Sequence, residues 1–183
     1  EGRLWVGTWA GGVNILLDEE KGIFTNFKDW IKNDTYPIQH VFDIHFDENY
    51  IWIAAFDEGL YRYNKKTAEL RLFKNNENDP DGISSNQPLR IFEDSNKNLW
   101  IGSQSGLSVI QSKDKAIGKF KVYRPSDLDP NSIPSNYIQQ IFEDHKQNIW
   151  IATEKGLSRY VPEGDNFLTF TQKDGLPVNE INS

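Results

Sequence analysis

Apolar residues in this chain come in short bursts separated by polar, turn-rich stretches, and the bursts return in a fixed order. Residues 91–102 read IFEDSNKNLWIG and residues 141–152 read IFEDHKQNIWIA. The apolar-Trp step recurs at Trp5, Trp52, Trp100 and Trp150, with spacings of 47, 48 and 50 residues. Six or seven residues after each Trp stands a Gly followed by an aliphatic residue: Gly12, Gly59, Gly106 and Gly156. An aromatic then closes an alternating segment at Phe27, Phe73, Tyr123 and Phe170. Ile44, Ile91 and Ile141 mark a fourth burst that opens the unit.

Segments such as LWIG, GLSVI and FKVY are too short for helices and rich in β-branched and aromatic residues, so they predict strands. Asp, Asn, Ser and Lys between the first two bursts of each unit predict tight hairpin turns. No segment sustains three-to-four apolar spacing over 11 or more residues, which removes helical solenoids of similar period. Four antiparallel strands, a to d, in a period near fifty describe a β-propeller blade. The fold expected is all-β, a partial propeller. Strands b to d of a first blade occupy 1–35, full blades follow at 36–82, 83–132 and 133–175, and 176–183 starts another. An open arc leaves apolar sheet faces uncovered, so the expectation is that further blades of a longer chain, or a second copy, complete it.

Charge changes the picture only by exclusion. Twenty basic against 27 acidic residues give a net charge of −7 without any block of like charge, which argues against nucleic acid or an anionic membrane as partner. There is no Cys, hence no disulfide, thiolate nucleophile or thiolate metal site. No apolar run approaches the roughly 18 to 20 residues of a membrane-spanning helix.

Chemistry is sparse. DSNKN (94–98) imitates the start of a calcium loop, but Leu99 stands where the loop needs Gly and Ser105 where it needs Glu. His40, His45 and His145 have no metal-ligand spacing, and GSQSG (102–106) is not a nucleophile elbow. The pairs Glu93-Asp94 and Glu143-Asp144 recur in phase, and neighbours on a strand face opposite ways, so they read as scaffold and not as an acid and base converging on substrate. No catalytic residue, metal or cofactor is expected.

The LWIG strands, the GL starts and the connections DPDGISSN (79–86), DPNSIPSN (129–136) and DGLPVN (174–179) resemble the two-component regulator propeller repeat. The resemblance spans essentially the whole chain. It implies the periplasmic input region of a bacterial hybrid two-component histidine kinase, dimeric in its full-length form and detecting carbohydrate. Residues 36–44 depart from the pattern, with Ile38-Gln39 replacing the Ser-Asn step.

In-phase residues belong to the scaffold: Trp5, Trp52, Trp100 and Trp150 between blades, and the four glycines in turns. Binding specificity must differ between blades, so it should reside in residues that break phase. On the face carrying the b-to-c and d-to-a connections these are Trp9, Trp30, Tyr36, His40, Phe56, Gln104 and Glu154. Exposed aromatic planes suit the C–H faces of sugars, while Gln and Glu bond hydroxyls. A propeller enzyme or a protein scaffold are the other readings of such a face.

Overall fold

A computed structural model describes residues 2–32, 37–76 and 78–177. Of the expected features, Tyr36 and most of the final stub lie outside these residues. The strands form four antiparallel sheets in which sequence neighbours pair. The first has three strands, β1 Trp5–Thr8, β2 Gly12–Asp18 and β3 Ile23–Asn26, followed by a single-turn helix, α1 Phe27–Ile31. The second comprises β4 Val41–Phe46, β5 Tyr50–Ala55, β6 Gly59–Asn64 and β7 Leu70–Phe73. The third comprises β8 Pro88–Glu93, β9 Leu99–Ser103, β10 Gly106–Ile110 and β11 Lys121–Tyr123. The fourth comprises β12 Ile138–Glu143, β13 Ile149–Thr153, β14 Gly156–Val161 and β15 Asn166–Phe170.

Successive sheets meet through their first strands, β4 against β8 and β8 against β12, with β1 against β4. This arrangement is an arc of propeller blades with strand a innermost. Three apolar cores fill the spaces between blades. Trp52 is completely buried and Trp100 nearly so. Trp52 stacks on Phe73 at 6.1 Å and packs among Ile91, Leu99, Ile101 and Phe120 of the next blade. Burying such a ring contributes about 2–3 kcal/mol. Trp5 and Trp150 are half-buried; Trp5 meets Phe27, Trp30 and Phe46, whereas Trp150 meets Phe142 and Phe170 of its own sheet.

The repeated Gly has a steric cause. At Gly59 the backbone adopts φ 119°, and a Cβ there would sit 2.3 Å from the Phe73 carbonyl oxygen. Only Gly supplies this conformation without strain. The Gly of LWIG serves blade contact instead, because a Cβ on Gly102 would lie 2.7 Å from Cγ2 of Ile138 in the next blade.

One element departs from expectation. Strand d of the first blade was expected to end at Phe27, but it ends at Asn26, whose side chain accepts a bond from the Lys28 N–H at 3.2 Å and caps α1. Phe27 is thereby turned into the core between the first two sheets.

Candidate ligand-binding face

The turns between strands b and c are built alike. The residue that follows strand b is Trp9, Phe56, Gln104 or Glu154 in the four blades, so these occupy one slot. The backbone ties this slot to the d-to-a connection: Phe56 N–H donates to His40 O at 2.8 Å, and Gln104 N–H to Gln87 O at 3.4 Å. Side chains that break the repeat are thus presented in register along one face.

At the boundary between the first two blades these side chains meet. Trp9 lies 4.5 Å from His40 and 5.9 Å from Phe56, ring centre to ring centre. Phe42 completes the group, 5.7 Å from Trp9 and 5.2 Å from Phe56. Trp9 is 63% exposed and Phe42 42%, so the cluster is a platform open to solvent. Phe42 is positioned by an irregularity in strand a: the β4–β5 register shifts between Val41 and Asp43. An extra residue at such a bulge re-aims its side chain. The same shift recurs in β8 and β12, with Leu89 and Gln139 in the equivalent place.

Carboxylates adjoin the platform residues in sequence or through a hydrogen bond. Asp43 accepts from the Ile44 and Ile91 N–H groups, both at 2.8 Å. Asp57 accepts from Gln87 Nε2 at 2.6 Å, and Glu58 from Gln39 N–H at 2.7 Å and Tyr61 OH at 2.9 Å.

The remaining expected residues are placed elsewhere. Gln104 is half-buried in its turn, and exposed Glu154 accepts from Ser135 Oγ at 2.9 Å. Trp30, carried by α1, does not join Trp9. It packs edge-on against Trp5 at 5.6 Å and near Tyr63 at 6.1 Å. With Trp5, Phe46, Ile51, Tyr63 and Lys65 it lines a cleft of about 480 Å3. Phe42 and the three carboxylates escaped the sequence reading, although Phe42 does break phase against Leu89 and Gln139.

The opposite face, with the a-to-b and c-to-d turns, is structural. Asp47, Asp94 and Asp144 each accept a bond from the indole N–H of the strand-b Trp of their blade, at 2.8, 2.8 and 2.9 Å. Asp94 also takes the Asn98 backbone N–H at 2.8 Å and side-chain amide at 3.0 Å, so the calcium-like turn spends its oxygens on its own hairpin. Glu143 caps the preceding blade's turn, accepting Ser95 N–H at 2.8 Å and Ser95 Oγ at 2.6 Å. Glu93 faces an acidic turn instead, and Lys115 bridges the gap, 3.0 Å from Asp47 and 2.7 Å from Glu93. Burial would raise both carboxyls; the hydrogen bonds from Trp52 and Lys115 to Asp47, and from Lys115 and Lys97 to Glu93, hold them below the usual range. His45 Nε2 is buried 3.7 Å from Glu93, and that burial lowers its pKa.

Residues 82–105 and 132–155 match the family model described as "Two component regulator propeller". These stretches run from the d-to-a connection through strand b of the third and fourth blades. The chain carries two-component regulator propeller repeats. It is also similar to "Histidine kinase P4" of Formosa agariphila, 32% identical over 112 residues, or 58% of this chain and 8% of that protein. Among solved structures it resembles the extracellular domain of BT3049 of B. thetaiotaomicron, assigned as a hybrid two component system, with TM-score 0.70 and 22% identity over 97% of this chain and 22% of that one. BT4673 of the same organism, assigned likewise, gives TM-score 0.68 and 19% identity over 100% of this chain and 21% of that one. The two-component regulator propeller repeats thus sit in a chain spanning about a fifth of the length of these extracellular domains. No helix among the described residues is long and apolar enough to cross a membrane.

Proposed function

We propose that this arc is a non-catalytic, ligand-sensing segment of a periplasmic propeller, and that it reports carbohydrate to a histidine kinase. The observation that carries the reading is the exposed platform of Trp9, His40, Phe42 and Phe56, formed from residues that break an otherwise regular repeat. A hexopyranose offers an apolar C–H face to such rings, and neighbouring Gln87, Asp57 and Glu58 offer hydroxyl partners. The in-phase acids Asp47, Asp94 and Asp144 are committed to indole N–H groups, which supports a scaffold role over catalysis. The similarity to a histidine kinase and to extracellular domains of assigned two-component systems supports the signalling context.

Binding would act on a kinase only through different affinity for two arrangements of the receptor, for example two packings of a dimer. Calorimetric titration of the chain with a panel of oligosaccharides tests the first step. Heat of binding that disappears in Trp9→Ala is expected; a panel without any binding overturns the reading.

A further inference from the structure

The platform has a charge character as well as an aromatic one. Each of its second-blade members is flanked by a carboxylate: Asp43 follows Phe42, Asp57 follows Phe56, and Glu58 holds the N–H of Gln39, the residue before His40. Among the described residues, the hydrogen bonds received by these three carboxylates come from neutral donors: backbone N–H groups, the Gln87 amide and the Tyr61 hydroxyl. Among the described residues none of the three forms an ion pair. The opposite face behaves differently, since Lys115 and Lys97 compensate Asp47 and Glu93 there. Three carboxylates without a cationic partner among the described residues therefore adjoin, in sequence or through a hydrogen bond, the three second-blade rings, although Asp43 and Asp57 also bond across to the third blade. Aromatic rings attract a cation through their negative π-faces, and carboxylates add a Coulomb attraction of the same sign. A uronate or sulfate brought to the same place meets like charge, which is how an interface rejects a wrong partner.

We infer that the Trp9–His40–Phe42–Phe56 platform selects its glycan by charge, preferring amine-bearing hexose units to neutral ones and excluding acidic ones. The inference rests on the carbohydrate reading above and specifies the substrate class at that site.

The test compares three tetrasaccharides of similar size, made of glucosamine, N-acetylglucosamine and galacturonic acid, titrated into the chain at one pH and two salt concentrations. The glucosamine oligomer is expected to bind about tenfold tighter than the N-acetylated one at low salt, the difference shrinking at high salt because exposed charges are screened beyond about 10 Å. No binding is expected for the galacturonate. In Asp57→Asn the preference for the amine, read as the ratio of the two affinities, should fall about threefold, an estimate for one exposed charge pair. Asn is well suited to this position, because residue 57 has φ 64° and Asn tolerates the left-handed region. Trp9→Ala should abolish binding of both oligomers. Equal or tighter binding of the galacturonate or the N-acetylated oligomer overturns the charge inference while leaving a Trp9-dependent carbohydrate site standing. Glucosamine binding that survives Trp9→Ala marks bulk attraction to an acidic protein and overturns the inference too. Failure of all three, and of neutral hexose oligomers, overturns the carbohydrate reading itself.

Discussion

The indole Nε1 of Trp100 donates to Oδ2 of Asp94 at 2.8 Å, joining the innermost hairpin turn of a blade to the ring wedged against the next. Asp94 is only 4% exposed and also receives both donors of Asn98. Replacing it by Ala leaves an indole N–H and an amide without a partner in a nearly dry site. Asp94→Ala should therefore lower unfolding free energy by about 2 kcal/mol, in the range for unsatisfied buried donors. Urea denaturation followed by Trp fluorescence measures it; a loss within error of zero would show that water replaces the carboxylate.

Lys115 carries the charge balance between the second and third blades. Its side chain is 8% exposed and its ammonium sits between Asp47 and Glu93. Lys115→Met would preserve much of the apolar stem but leave two acids facing each other, a situation that costs about 3–5 kcal/mol when a buried pair is broken. Adding Glu93→Gln should recover part of that loss, since one of the opposed charges disappears. A double-mutant cycle in denaturant reads the coupling directly.

His45 gives the chain a pH response in the neutral-to-acid range. It pairs with Trp52 across β4–β5, in the place taken by Phe92 and Phe142 in the next blades. Burial lowers its pKa below 6.5, so the folded state binds this proton less readily than the unfolded chain. The stability contributed is present above pH 6.5 and is lost as pH falls through the folded value. Thermal midpoints should accordingly drop between about pH 7 and 5, and His45→Phe should flatten that drop. Asp47 and Glu93, whose pKa values are lowered, add losses only at more acid pH, as it falls below their ordinary values of 3.8 and 4.5 towards their folded values. An unchanged pH profile in His45→Phe would refute the assignment.

The blades were legible because strand b keeps its Trp and its Gly at one spacing in every copy, although Trp52 and Trp100 are buried between blades while Trp5 and Trp150 are half-buried and Trp150 packs on its own sheet. Trp9, His40 and Phe56 stood out in the sequence for the complementary reason, that departures from phase are visible in a regular repeat, but their meeting was shown only by the fold. Trp30 was misplaced beside them because Asn26 caps a single turn of helix, too short to show a helical period, which carries the indole to Trp5 and Tyr63. Phe42 was missed because a bulge reverses the side chain that simple alternation would assign to the core. The Lys115 bridge had a signal that went unused: the interval from Gly106 to Tyr123 is the longest of its kind, 17 residues against 14 for Gly59 to Phe73. The added loop brings the cation that an acidic neighbouring turn requires.

Trp9 and Trp30 separate function from structure within a single blade. Trp9 is 63% exposed, and its aromatic partners among the described residues are the rings of the platform, whereas Trp30 packs against Trp5, Phe27 and Tyr63 beside the first interblade core. Trp30→Ala should then lower the melting temperature, with a cost of about 1–3 kcal/mol for a ring still 40% exposed. Trp9→Ala should leave the melting temperature within about a degree, because exposed substitutions away from packed features change stability by roughly 0.5 kcal/mol or less. Its effect should appear in ligand titration, where losing the largest plane of the platform removes the stacking contact and weakens sugar binding by tenfold or more, at about 1.4 kcal/mol per factor of ten. The opposite pattern, with Trp9→Ala unfolding the chain and Trp30→Ala abolishing binding in a stable one, would move the recognition surface to the cleft between Trp5 and Tyr63.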